Sequence, residues 1–399
     1  MNEFVAQHPL LITSILKVVV LVFVLLTAIA YITWFERKAV AHIQSRWGPY
    51  RAGPHGLLQP LADGIKFLTK EDPTPAGADK FVYFLAPFLA MSLGLCGIAV
   101  IPFSPHDLTI FGQRTHFGIA ELGIGLMFLF ALTSLGVYGV ALAGWASNSK
   151  YPLLGALRSS AQMVSYELAL TLSVVGVVLM AGTFNLRDII AQQSGSILNW
   201  YAFHGPLPQL IGFACFITAA IAETNRAPFD LAEAETELVA GFHTEYASFK
   251  FTMFFMSEYA SMVIASLLAS LLFFGGWNSP FPAGWTWPLY IPAVLFAGFG
   301  LIVFVDGVRY ETVLGKLILP VVGLVLIGLG FLFTRPGAME FIQPPFWFLG
   351  KAGFFLFVYI WARGTLPRFR YDQLMGFGWK VLLPLSLANV VLTSLLLVL

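Results

Sequence analysis

The sequence predicts an all-α integral membrane protein, a multi-helix transmembrane bundle, and three observations carry that prediction. Of its 399 residues 58% are hydrophobic and only 11% charged, with a mean hydropathy of +0.80, and a soluble domain of this length could not cover so much apolar surface with so few charges. The apolar residues fall in long unbroken runs, not in the short alternating segments of a membrane barrel. Those runs approach the roughly 20 residues a helix needs to cross a bilayer, near 9–34, 81–103, 119–144, 162–182, 206–223, 251–276, 288–305, 314–334, 344–362 and 377–398. That makes ten candidate spans in a single transmembrane domain over 1–399.

The first run flows into charged residues instead of a small-residue cleavage site and lacks a basic segment before it, so it reads as a retained helix. Alternating the sides of the spans gathers most of the cations on one face: Arg37, Lys38, Arg46, Arg51, Lys66, Lys70, Lys80, Lys150, Arg158, Arg226, Lys250, Arg309, Lys316, Arg363, Arg368, Arg370 and Lys380. Arg114, Arg187, Arg335 and Lys351 fall toward the other, and Lys17 lies inside the first span. By the positive-inside rule the rich face is cytoplasmic, which sends both termini to the outward side. The net charge of +1 says nothing about partners, and no basic aromatic groove suggests nucleic acid.

Cys96 and Cys215 sit inside spans without Cys or His neighbours at metal-ligand spacing, so no disulfide, zinc or iron–sulfur site is expected. Glycine pairs such as Gly123 and Gly125 have neither a strand before them nor a ribose-binding acid after them, which argues against a dinucleotide site. The chain is therefore expected to bind no redox cofactor of its own.

The basic face is built from polar connections at 35–80, 145–161, 224–250 and 363–376, with a shorter one at 306–316. In the first, Leu57, Leu58, Leu61, Ile65 and Leu68 recur at helical spacing with Asp63, Lys66 and Lys70 off that face. This predicts an amphipathic helix over 56–71, ended by Pro73 and Pro75, lying in the membrane interface or packed as an ordinary loop helix. In the third, Pro228 occupies a first helical position and Asp230 and Glu233 the opening turns, a pattern that favours a helix start. Asp230, Glu233 and Glu237 would share one face, as acids that cap and solvate an exposed helix also do.

Residues 222–246 hold Glu223, Asp230, Glu233, Glu235, Glu237 and Glu245, with Arg226 the one Lys or Arg among them. They form either a polar loop or the mouth of a proton path. Glu167 and Glu258 fall inside spans, where a carboxylate costs about 2.5–3.5 kcal/mol and so normally faces a wet interior. Such a group holds and releases a proton readily; it also serves to bond a neighbouring helix, as Tyr166 or Ser257 beside them could. Glu36 and Glu223 sit at span ends within reach of water, and Lys17 and Glu121 are expected to snorkel. Arg37, Arg46, Arg226, Arg363, Arg368 and Arg370 cluster at one level, as positive-inside residues or, for some, as the lining of a head-group cavity.

Four long motifs are more specific. Glu36-Arg37-Lys38 with Gln44-Ser-Arg46-Trp-Gly-Pro-Tyr-Arg-Ala-Gly53 and Gly56-Leu-Leu-Gln-Pro-Leu-Ala-Asp63 comes first, then Leu153-Leu-Gly-Ala-Leu-Arg158 with Ala161-Gln-Met-Val-Ser-Tyr-Glu167. Next are Glu223-Thr-Asn-Arg226-Ala-Pro-Phe229-Asp230-Leu-Ala-Glu233-Ala-Glu235-Thr-Glu237-Leu-Val-Ala-Gly241 and Pro367-Arg-Phe-Arg-Tyr-Asp-Gln-Leu374. In this order they resemble the quinone-chamber membrane subunits of respiratory complex I, a family that takes in bacterial NADH:quinone oxidoreductases and the mitochondrial counterpart, NADH dehydrogenase subunit 1. The resemblance implies an enzyme subunit that links quinone reduction to proton translocation. Its substrate would be a membrane quinone, its partners the peripheral quinone-module subunits and the antiporter-like membrane subunits, and the flavin and iron–sulfur clusters would reside in those partners.

By the same resemblance, Glu36, Glu167, Glu223, Glu233, Glu235 and Glu258, and less directly Asp230, Glu237 and Glu245, would form the proton path. Arg37, Arg46, Arg226, Phe229, Asp230 and Arg363 would surround the quinone chamber. The sequence departs from the family twice. Eight principal helices are usual, whereas here 285–343 carries two further apolar runs, an expected inserted transmembrane hairpin that leaves the topology after it unchanged. Tyr246-Ala-Ser-Phe-Lys250 also lacks a glycine common after the Glu-Tyr pair. Competing readings are the homologous membrane subunit of an energy-converting hydrogenase, a proton-coupled secondary transporter, for which the internal repeat is missing, and a structural anchor, which needs no acids inside its spans.

Overall fold

A computed structural model describes residues 9–110, 113–205, 207–230, 240–282 and 284–399. Its helices in chain order are α1 (Pro9–Ile43), α2 (Gln59–Thr69), α3 (Lys80–Ile98), α4 (Gly125–Ala146), α5 (Lys150–Ala181), α6 (Leu186–Gln192) and α7 (Leu210–Glu223). They continue with α8 (Ser248–Phe273), α9 (Ile291–Arg309), α10 (Val313–Leu332), α11 (Pro336–Thr365), α12 (Tyr371–Phe377) and α13 (Leu383–Val398), the last two joined by a π-helical turn over Gly378–Leu382. A small antiparallel hairpin of β1 (Asp107–Ile110) and β2 (Gln113–His116) closes the end opposite the basic face.

Among the described residues nine helical segments are long and apolar enough to cross a membrane. The tenth expected span, 206–223, is helical over 14 residues only, as α7, which rise about 21 Å against a hydrocarbon core of about 30 Å. Pro208 and the buried Gln209, whose backbone N–H donates to Tyr201 O at 3.0 Å, hold the chain in a loop before it.

The core forms around α8, where Leu267, Leu268, Leu271, Leu272 and Phe273 are almost wholly buried. Outward faces such as Val18, Val19 and Phe23 of α1 stay exposed, which suits helices that meet lipid or partner subunits. Local signals set several ends: the Asp79 carboxylate accepts from Phe81 N and Val82 N to start α3, and the Thr312 hydroxyl accepts from Gly315 N to start α10. Lys17 donates to the carbonyls of His116 and Gly118. Arg187 meets Asp107, His116 and Glu121 at the same end, and hydrogen bonds from His116 and Arg187 hold the Asp107 carboxyl below its ordinary range.

α9 and α10 pack as an antiparallel pair. A Cβ on Gly323 would stand 2.7 Å from Gly300 O, and one on Gly300 2.8 Å from Gly323 O, so the backbones touch where both side chains are hydrogen, as small residues allow between membrane helices. Gly323→Val is expected to part the pair at a cost of about 1–3 kcal/mol, measured as a lowered thermal midpoint and earlier proteolysis of the 306–316 turn. An unchanged midpoint would mean that this contact is not close in solution.

The amphipathic segment is helical as α2, with Leu58, Leu61, Ile65 and Leu68 exposed and no buried residue in the helix. Residues 224–230 form turns and bends, so the chain is not helical at Pro228 where a start was expected, and the continuation of that helix lies outside the described residues. There the buried Gln162 donates to Ala222 O at 2.8 Å and Phe229 O at 3.0 Å, and these tertiary bonds override the local helix signal. Glu233, Glu235 and Glu237 lie outside the described residues.

Candidate functional site

Four elements meet at the basic end of the bundle. Glu36, near the end of α1, is 3% exposed. Its Oε1 accepts from Arg226 Nη1 at 3.0 Å and from Arg363 Nη1 of α11, and its Oε2 accepts from the Tyr259 hydroxyl of α8 at 2.6 Å. The Arg226 guanidinium lies over the Tyr259 ring, 4.2 Å from its centroid. One buried carboxylate thus receives two cations and a phenol, the full set of partners that makes a buried charge tolerable.

The 226–230 turn is seated by the last polar connection. Phe229 stacks on Phe369 at 5.4 Å and 9°, Phe369 N donates to Pro228 O at 3.1 Å, and Asp230 pairs with Arg368 at 2.9 Å. Arg37, one residue beyond Glu36, reaches Asp63 of α2 at 2.6 Å, and Gln59 holds the other oxygen of Asp63 at 3.0 Å. The amphipathic helix is thereby tied to the same corner.

Deeper in the bundle a cavity of about 70 Å³ is lined by Glu223, Asn225, Ser257, Glu258, Ser261 and Thr133, among others, space for about five water molecules at 10–15 Å³ each. A smaller one of about 20 Å³ shares Glu223, Thr133 and Ser261. Glu167 accepts a hydrogen bond from Ser134 and lies within electrostatic range of Glu223. Glu258 in turn acts on Arg226. Arg226 therefore stands between the clasp around Glu36 and the cavity of acids.

A family model described as NADH dehydrogenase matches residues 16–394. The chain belongs to the NADH dehydrogenase family. It is 52% identical over 383 residues to the first of two NADH-quinone oxidoreductase H subunits of Solibacter usitatus (strain Ellin6076), covering 96% of each chain. The second H subunit of Koribacter versatilis (strain Ellin345) is 49% identical over 395 residues, 96% of this chain and 97% of that one. The H subunit of Thermomicrobium roseum is 45% identical over 392 residues, with 96% of each covered. The family is one of subunits of an oxidoreductase, and the multi-pass helical bundle is that of a membrane protein.

In this NADH dehydrogenase chain the residues singled out from sequence separate into groups. Glu36, Arg226 and Arg363 form the clasp, Arg37, Phe229 and Asp230 flank it, Glu223 and Glu258 line the cavity, and Glu167 lies outside its lining, bonded to Ser134. Arg46 stands apart, exposed and bonded to Gln44 at 2.8 Å. Glu245 is held through its backbone carbonyl, which accepts from the Tyr83 hydroxyl at 2.8 Å. Among the described residues no group of three or more His, Cys, Asp or Glu side chains is arranged to hold a metal ion. Sequence reasoning missed the clasp role of Tyr259 and the hydroxyls of Ser261 and Thr133. The signal for Ser261 was present, since it lies four residues after Ser257 on the same helical face.

Proposed function

We propose that this chain is the quinone-chamber membrane subunit of a proton-translocating NADH:quinone oxidoreductase, and that its buried carboxylates couple quinone reduction to proton movement. The observation that carries the reading is the position of Arg226, bonded to Glu36 and next in the chain to Asn225, which lines the cavity with Glu223 and Glu258. Quinone is the substrate, and the polar end of the bundle beside α2 is where its head group enters from the membrane. Electrons reach it through flavin and iron–sulfur clusters of peripheral partner subunits, while antiporter-like membrane subunits adjoin the acid cavity. The chain resides in a bacterial inner membrane with both termini periplasmic.

Reduction of a quinone to quinol takes up two electrons and two protons. Negative charge developing on the head group draws on the guanidinium groups of Arg226 and Arg363, and so weakens their hold on Glu36. Glu258 feels Arg226, and Glu223 feels Glu167, so the acids respond as one interacting system and not as independent sites. A few waters in the cavity give a proton somewhere to go. A head group that carries hydrogen-bonding oxygens suits this polar corner, which favours the quinone enzyme over the hydrogenase alternative. The names of the relatives agree with that choice.

The test is Glu167→Gln in membranes where the assembled complex is present. NADH:quinone turnover with coupled proton uptake into vesicles is expected to fall roughly tenfold, about 1.4 kcal/mol of barrier, while NADH oxidation by an artificial acceptor stays intact. Unchanged pumping and turnover would return Glu167 to bracing α4 through Ser134.

A further inference from the structure

The α9–α10 pair grips the first polar connection at one residue. Asp306 Oδ2 of α9 lies 2.7 Å from His55 Nε2. The hydroxyl of Tyr310, in the turn between the two helices, accepts from the His55 backbone N–H at 2.9 Å. Its ring meets the His55 imidazole edge-on at 5.0 Å and the Tyr50 ring at 6.4 Å. From α1, Trp34 Nε1 donates to the His55 carbonyl at 3.3 Å.

His55 needs such a grip. It holds φ +51° and ψ 19°, left-handed backbone that a residue with a Cβ keeps only where its surroundings over-determine it. The surroundings are built for Tyr310 as well: a Cβ on Gly315 would fall 2.1 Å from its ring, and Tyr310 is 8% exposed. Four residues after His55 the chain enters α2, whose Asp63 takes Arg37, the neighbour of Glu36. A continuous path of contacts thus runs from the helical pair to the clasp.

We infer that the α9–α10 pair is a strut that fixes the turn at Tyr50–Gly56 and so seats α2 at the mouth of the quinone chamber, with Tyr310 and Asp306 as positioning residues. The inference rests on the proposed function for one thing, that quinone enters beside α2. It assigns a role to the two helices by which the sequence departs from the usual eight of its family. The His55–Asp306 pair is partly exposed, with side chains 35% and 48% accessible, so it contributes little alone. The buried Tyr310 carries most of the grip. Loosening it disturbs access of quinone and leaves the groups that move electrons untouched.

The experiment compares Tyr310→Ala, Tyr310→Phe and the exposed control Phe299→Ala in the assembled complex. It reads hydrogen exchange over 50–69, KM and kcat for a short-tailed quinone, and the artificial-acceptor rate. Tyr310→Ala is expected to speed exchange around His55 at least about tenfold and to raise the quinone KM about threefold or more with kcat unchanged. Tyr310→Phe, which keeps the ring and folds without a cavity, should shift both in the same direction by less, and Phe299→Ala neither. Unchanged exchange, or faster exchange with an unchanged KM in both Tyr310 variants, overturns the strut. Glu36→Gln run in parallel separates the two readings: a disturbed quinone rate there leaves the chamber standing and removes the strut alone, and an undisturbed one removes both.

Discussion

Arg226→Met is expected to destabilise the assembled protein by about 3 kcal/mol, the lower end of the cost of leaving a buried charge without its partner. The lower end applies because Glu36, 3% exposed, keeps Arg363 and the Tyr259 hydroxyl after Arg226 is gone. Arg226→Lys should not restore the loss. A lysine supplies a point charge, whereas the planar guanidinium bonds Glu36 through Nη1 while lying over the Tyr259 ring. Arg363→Met touches the same carboxylate but is the informative contrast: its side chain is 48% exposed, so the expected stability cost is within about 1 kcal/mol. Glu36→Leu combined with Arg226→Met should recover part of the single-variant loss, since neither charge is then left buried alone. Thermal midpoints of the purified complex decide the matter. Full rescue by lysine, or a larger cost at Arg363 than at Arg226, would show that Arg226 is not the buried centre of the clasp.

Legibility of this protein from sequence follows the range of the physics involved. Long apolar runs are a local signal, and nine of the expected spans stand as membrane-length helices. α7 is the exception because hydropathy does not register that Gln209 is tied to Tyr201, Leu207 and Thr393, so the apolar run does not begin as helix. The start expected at Pro228 failed for a similar reason: proline and early acids are local preferences, while the backbone of 222–229 is held by Gln162 from sixty or more residues away. For the site, the residue types were visible and the pairings were not. Glu36 read as a residue that could reach water, yet it is enclosed because Arg226, Tyr259 and Arg363 converge on it across 190, 223 and 327 residues of sequence. No periodicity spans such separations. Glu258 could be singled out because a charge inside an apolar run is conspicuous, and Ser261 was not because serine inside a membrane helix is common.

The largest effect on coupling is expected at the cavity. Glu223→Gln and Glu258→Gln should each lower quinone-linked proton uptake by about 10²-fold, the lower range for removing a positioned acid–base group. Both line one cavity, and glutamine preserves shape and most hydrogen bonding while removing the titratable proton, so assembly should survive both changes. If the two acids serve one path, the second substitution has little left to remove. The double variant should then resemble the worse single one and not multiply to about 10⁴-fold. Adding Glu167→Gln to either should be less than additive too, because Glu167 acts on the charge of Glu223 and is not a separate route. Multiplicative losses would instead describe independent sites that happen to share a cavity. Pumping retained in the double variant would remove these carboxylates from the path and leave the clasp to carry the coupling by geometry alone.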